Sequence, residues 1–362
     1  MELIRKVAFY GSAYDYALFE EGFRDMAGAV ALERVTTDPL GAGADVLVLG
    51  HHLPGYDANQ LLEGAPSRAR AVAVISHGPF PLNGTPAPTP LGAMAYHFRW
   101  HSEPGLAAAV VDLIEDQLNA EELYRVQHRR FLLLVEDEIN FASYFIPLIL
   151  RELTERTLSL LPPSSSPESL REKAASERPV LLLASSFEQA VDYMDRFGDR
   201  MVGIISALGF PKDGKNNSDA GIHLLEKRNS MQAEFPVVIM SARSHREQEI
   251  MDLGASFMHK TSPHLLSMLQ AHLLHHFGFG DFIFRMPGQD SQEVARARTL
   301  SDLRSCLEWV PVESFLYHAG RRHFSNWLGV HGYLQLAEVI RVISADDPEG
   351  ARRRLIELLK TA

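Results

Sequence analysis

Short apolar runs alternate along the chain with stretches whose apolar residues recur every three or four positions. That is the pattern of buried strands leading into amphipathic helices. Lys6–Gly11 (KVAFYG) reads as a strand, and Tyr14–Met26 as a helix with Leu18, Phe19, Phe23 and Met26 on one face. Asp45–Gly50 (DVLVLG) is apolar almost throughout, as a strand covered on both faces should be. Ala71–Ser76 (AVAVIS) and Met94–Arg99 continue the series. Between them, the prolines of Pro79–Pro90 (PFPLNGTPAPTP) exclude helix and central strand and predict an extended surface loop. The helix Leu106–Gln127 sets Leu106, Val110, Ile114 and Leu118 about one turn apart.

A second series begins with the strand Phe131–Val135 (FLLLV) and the long helix Ile139–Leu160. Pro162–Pro167 (PPSSSP) breaks it, and Glu168–Glu177 reads as a polar helical insertion. Strands follow at Val180–Ala184, Val202–Ser206, Val237–Ser241 and Ser256–His259. Helices at Phe187–Phe197, Ala220–Asn229, Arg246–Leu253 and Pro263–Phe277 separate and close them. Strand–helix alternation of this kind implies a parallel α/β sheet. Past Gly278 the pattern changes to a hairpin around Pro287-Gly288, then helices at Leu300–Trp309, Phe324–Ile343 and Asp346–Ala362. The expected division is 1–127, 128–278 and 279–362, the last a small α+β module with C-terminal helices. Phe324, Trp327 and Trp309 are expected in its core.

With 362 residues there is material for two or three such cores, and 46% hydrophobic against 22% charged residues excludes wholesale disorder. A net charge of −11 argues against nucleic acid or an anionic membrane surface as the partner. No apolar run reaches the ~18 residues of a membrane span. The N-terminus turns acidic too soon for a secretory signal, so a cytoplasmic location is expected. The single cysteine, Cys306, excludes a disulfide framework and a cysteine-rich zinc site.

Chemistry-bearing residues gather where the expected strands end. The strand Phe131–Val135 runs into Glu136–Asp137–Glu138, and the middle strand of that series into Ala207–Leu208–Gly209–Phe210–Pro211–Lys212–Asp213–Gly214. The fourth strand ends in Ser241–Ala242, and the fifth in His259–Lys260, with Phe257 three positions before the lysine. This spacing resembles the receiver domains of bacterial response regulators. In those an acidic pair ends strand one, a phosphorylated aspartate ends strand three, and a Ser/Thr-Ala pair and a lysine end strands four and five. The resemblance implies a flavodoxin-like, five-stranded parallel sheet of order 2-1-3-4-5, with these groups converging at one edge. It places Ala207 at the phosphoryl-acceptor position, where alanine offers no nucleophile. Asp213, six residues on and past Pro211, is expected to point elsewhere.

Asp45–Leu62 carries the same middle-strand pattern more faintly, with Gly50 at the acceptor position, Pro54 four residues on and Asp57 behind. Gly11 and Ser12 then stand at the acidic pair, Ser76 at the hydroxyl position and Arg99 at the lysine position. The chain thus resembles two degenerate receivers in tandem. FGFGDFIFR (Phe277–Arg285), EVARARTLSDL (Glu293–Leu303) and YHAGRRHFSNWL (Tyr317–Leu328) carry a further resemblance. Together Phe131–Ile343 is similar to the receiver-containing regulatory front part of bacterial phosphoenolpyruvate synthase-like proteins of the pyruvate phosphate dikinase family.

Several residues admit two readings. Glu136 and Asp137 either bind Mg²⁺ weakly or cap a strand-to-helix turn. Lys260 either holds an anion or pairs with Asp137. His318, His323 and His331 form a metal site or polar packing. His272, His275 and His276 fit a solvated helix face, and His51 and His52 face the first crevice. No nucleotide loop, Ser/His/Asp set or metal-ligand cluster stands out, so no enzymatic activity is expected. The expected function is phosphorylation-independent signalling or scaffolding through other proteins, a second copy of the chain included. The helices from Leu106 and from Pro263 are the expected surfaces. The alternative is a regulatory subunit docking on a phosphoenolpyruvate synthase-like phosphotransfer enzyme.

Overall fold

The computed structural model describes residues 4–24, 30–39, 41–51, 53, 69–77, 94–101, 105–160, 173–174, 177–233, 235–275, 277–287, 292–341 and 347–360. Met26, His52, Pro54, Asp57, the Pro79–Pro90 loop, the Pro162–Pro167 break, His276, Gly288 and most of Glu168–Glu177 lie outside the described residues. The chain divides into two compact units, Met1–Leu123 with Glu136–Leu150 and Tyr124–Val135 with Arg151–Ala362.

The first unit is built on a parallel sheet of β1 (Lys6–Tyr10), β2 (Ala31–Val35), β3 (Val46–Leu49), β4 (Ala71–Ser76) and β5 (Met94–Arg99). Its strand order is β2-β1-β3-β4-β5, the 2-1-3-4-5 order of a flavodoxin-like sheet. All residues of β3 and β4 are buried, which explains their unbroken apolar runs. Helix α1 (Ala13–Phe23) and, as far as Leu123, helix α2 (Leu106–Arg125) belong to this unit. The apolar pattern misses β2. It is an edge strand, ALERV, none of whose residues is buried, so burial leaves no signature on its sequence. Lys6 on the neighbouring strand pairs with its Glu33 at 2.7 Å.

The second unit holds another five-stranded parallel sheet. It comprises β6 (Phe131–Val135), β7 (Val180–Ala184), β8 (Met201–Ala207), β11 (Val237–Ser241) and β12 (Ser256–His259), in the order β7-β6-β8-β11-β12. That is again 2-1-3-4-5. The intervening helices are α3 (Ile139–Leu160), whose first part belongs to the other unit, α4 (Phe187–Phe197), α5 (Ala220–Ser230) and α6 (Glu247–Asp252). Helix α7 (Leu265–His275) follows β12. A short hairpin of β9 (Phe210–Lys212) and β10 (Lys215–Asn217) follows β8. Its turn residues Asp213 and Gly214 have φ of 54° and 70°, as an Asp-Gly hairpin turn requires.

In the C-terminal part of this unit, β13 (Phe282–Arg285) and β14 (Glu293–Ala297) form the expected hairpin. Among the described residues five helices follow, α8 (Leu300–Leu307), α9 (Val312–Gly320), α10 (His323–Val330), α11 (Leu334–Arg341) and α12 (Pro348–Lys360). Phe282, Phe284, Phe315, Phe324 and Trp327 share one apolar core. Trp309 does not join it and is 60% exposed, contrary to the sequence expectation. The single helix expected over Phe324–Ile343 is two. Gly332, at φ 83°, ends α10 while the Tyr333 and Gly332 N–H groups donate back to the Leu328 and Gly329 carbonyls, a Schellman close.

Candidate functional site

Register sets the candidate positions of the second sheet side by side. Ala207 pairs with Met240, Ser241 with His259, and Val135 with Ser206. The C-terminal ends of β6, β8, β11 and β12 therefore lie along one edge. Beyond them the Leu208 N–H donates to the Met240 carbonyl and the Lys260 N–H to the Ser241 carbonyl. Ala207 is buried at the end of the central strand, and α5 approaches it closely because Gly221 has no side chain to obstruct. The Ser241 hydroxyl accepts from the Arg243 N–H, and Lys260 is buried. Phe257 is half-buried on β12 with its ring edge-on to His259. Glu136 and Asp137 continue the chain from β6. Glu136 is buried, with Oε1 accepting from the Glu138 N–H, while Asp137 is half-buried. Asp213 is exposed at the tip of the β9–β10 turn, where its N–H donates to Glu188.

The first sheet's edge has a different occupant. Gly11 and Gly50 follow β1 and β3, and their backbones approach so closely that a Cβ on Gly11 would lie 3.1 Å from the Gly50 Cα. A Cβ on Gly50 would meet the Phe9 ring at 3.0 Å and the Asp15 carboxylate at 3.1 Å. Asp15 therefore fills the space beside Gly50. It comes from the first turn of α1, where the Ser12 hydroxyl caps the helix by accepting from the Asp15 N–H. The Asp15 side chain is buried and lies 2.9 Å from Nε2 of His77, whose ring is part-exposed just past β4. His51 meets His77 edge-on.

Sequence reasoning missed both Asp15 and His77. Ser12-x-x-Asp15 has the spacing of an N-cap, and that role conceals the second one. Ser76 is fully buried, its hydroxyl 2.8 Å from Nε2 of His97. Burial, aided by the Arg99 charge, pushes His97 down to about 4, so this imidazole is neutral at pH 7. The Arg99 N–H donates to the Ser143 hydroxyl.

His318, His323, His331 and His272 are packing groups. Nε2 of His318 accepts the Arg285 N–H, which leaves its proton on Nδ1, 2.9 Å from Nδ1 of His323. His331 stacks on Trp327 and bonds that residue's carbonyl. His272 is buried against Phe277 and is not on a solvated face. Among the described residues no three His, Cys, Asp or Glu side chains gather as a metal site. Nor is any described helix long and apolar enough to cross a membrane.

No protein-family model matches the chain, and no curated protein does. Among solved structures it is similar to the linker and phosphoreceiver region of RcsC from E. coli. The identity is 14% and the TM-score 0.25, over 74% of this chain and 92% of that one. A lactose-bound LacI-family transcriptional regulator from Arthrobacter sp. FB24 aligns at 13% identity and a TM-score of 0.21, over 83% of this chain and 100% of that one. The C-domain of LpoA from Haemophilus influenzae, a regulator of PBP1A, aligns at 10% and 0.22, over 76% and 82%. At such scores none of the three specifies a function, and the architecture stands on strand order and register.

Proposed function

We propose that the chain is a signalling or scaffold protein of the response-regulator type that works through protein–protein contacts without accepting a phosphoryl group. One observation supports this most: the end of the central strand in both sheets carries a residue without a nucleophile, Gly50 just past β3 and the buried Ala207 as the last residue of β8. In a receiver, phosphorylation at that position shifts a two-state equilibrium. Here the first edge has no room for an acceptor side chain, because Asp15 fills it. Helix α7 leaves Leu266 and Met268 exposed, which suits it to contact another protein, whereas α2 buries even Asp116, Gln117 and Asn119.

The test is to incubate the protein with a small acyl phosphate and Mg²⁺ and weigh it intact. No phosphoryl adduct is expected. An adduct mapping to His51, His77 or Asp213 would turn the assignment into a phosphorelay protein.

A further inference from the structure

Arg130 and Arg200 immediately precede β6 and β8, so both stand at the N-terminal edge of the second sheet, opposite the edge described above. Helix α11 brings Glu338 and Arg341 to the same place. One Glu338 oxygen lies 3.5 Å from Nη2 of Arg130 and 3.7 Å from Nε of Arg200; the other lies 3.1 Å from Nη2 of Arg341. Arg341 also pairs with Asp199 at 3.0 Å, and the Tyr124 hydroxyl donates to that same carboxylate. Arg200 donates to the Tyr124 carbonyl and lies over its ring.

The cluster is under-satisfied. Two of its contacts to Glu338 are too long for hydrogen bonds. The Arg130 side chain is 1% exposed, yet its Nε and Nη1 have no hydrogen-bond partner among the described residues. The same holds for Nε of Arg200, Nε of Arg341 and Oε1 of Glu338. Arg130 also makes a long contact to the Ser325 carbonyl, and Gly329 packs so close that a Cβ there would overlap its guanidinium unless that group moved. Three guanidiniums thus face two carboxylates. Burial lowers the Arg130 pKa to about 10, so it stays charged at neutral pH. Buried charges left partly unpaired are costly, which makes the cluster receptive to a better anion.

We propose that Arg130, Arg200 and Arg341 form a binding site for a small tetrahedral oxyanion of the phosphate class, with Glu338 as a built-in competitor. A carboxylate presents two oxygens in a plane and leaves N–H groups of all three guanidiniums unmet. A tetrahedral anion presents four oxygens to donors that arrive from two strand ends and a helix. With Glu338 withdrawn, three arginines and Asp199 leave two positive charges, which a phosphate dianion neutralises. The burial of Arg130 selects for a small anion. This site is independent of the receiver edges and of the function proposed above.

The test uses the full chain with Glu338→Gln, which removes the competitor. Inorganic phosphate, against chloride at equal ionic strength, should raise its melting temperature saturably, by roughly 3–6 °C at about ten times the Kd. Wild type should shift less, and Glu338→Gln/Arg341→Gln should lose the gain. Equal shifts in the single and double variants, or none in either, would overturn the proposal. If Glu338→Gln does not fold, phosphate titration of wild type against Arg341→Gln by calorimetry decides. Tighter binding to wild type supports the site, and equal or absent binding refutes it.

Discussion

His318 and His323 show how burial turns a pair of weak bases into a pH-dependent term. Desolvation lowers His318 to about 3 and His323 to about 4, with nearby positive charge adding to the effect. His331 is lowered to about 4 by burial as well. In the unfolded chain each takes up a proton near 6.5, and in the folded chain each refuses it until much lower pH. The unfolded state therefore binds more protons below about 6.5. The stabilising contribution is full above that pH, is lost as pH falls towards 4, and for His318 is spent only near 3. Melting temperature should fall measurably between pH 7 and pH 5. His318→Gln/His323→Gln should melt lower at pH 7 yet lose less on acidification. A double variant with the wild-type pH slope would show that other groups carry it. At the first sheet edge, Gly50→Ala presses a methyl group onto Phe9 and Asp15. It should cost about 1–3 kcal/mol in chemical denaturation. Gly50→Asp should cost more, because a second carboxylate meets the first.

Among the elements, the central strand of the second sheet carries the most informative change. Ala207→Asp puts a carboxylate at the end of β8, beside the strand that runs into Glu136 and Asp137. Clustered carboxylates repel until a cation neutralises them. Mg²⁺ should therefore raise the melting temperature of Ala207→Asp and scarcely move that of wild type; equal responses would remove Glu136 and Asp137 as metal ligands. The positions used here were readable in the chain because parallel strands buried on both faces leave unbroken apolar runs. Phe131–Val135, Val180–Ala184, Val237–Ser241 and Ser256–His259 all start and stop where the pattern predicts. Elements with little burial left weaker traces. β2 sits at an exposed edge, and the β9–β10 hairpin is signalled only by the Asp-Gly at its turn. Asp15 and the arginine cluster escaped because each depends on partners far off in sequence, which no local period records.

At the scale of the whole chain, each unit contains a sheet with the same strand order, although their edges are furnished differently. The first fills its edge with Asp15 and closes it with paired glycines. The second keeps a half-buried serine and a buried lysine, joined by a backbone hydrogen bond, on the strands past a buried alanine. The compact units also cut across the strand–helix repeats, grouping Glu136–Leu150 with the first sheet. Arg130 adds a constraint of another kind. It leads into the first strand of the second sheet, yet the carbonyl that meets it belongs to Ser325, 195 residues later, and Glu338 lies further still. A ribosome adding about 5–20 residues per second needs roughly 10–40 s to cover that interval. Throughout it, the growing chain holds a guanidinium whose Ser325 and Glu338 partners have not been made. The second sheet can gather its strands as they emerge, but its base is completed only once Glu338 has been translated.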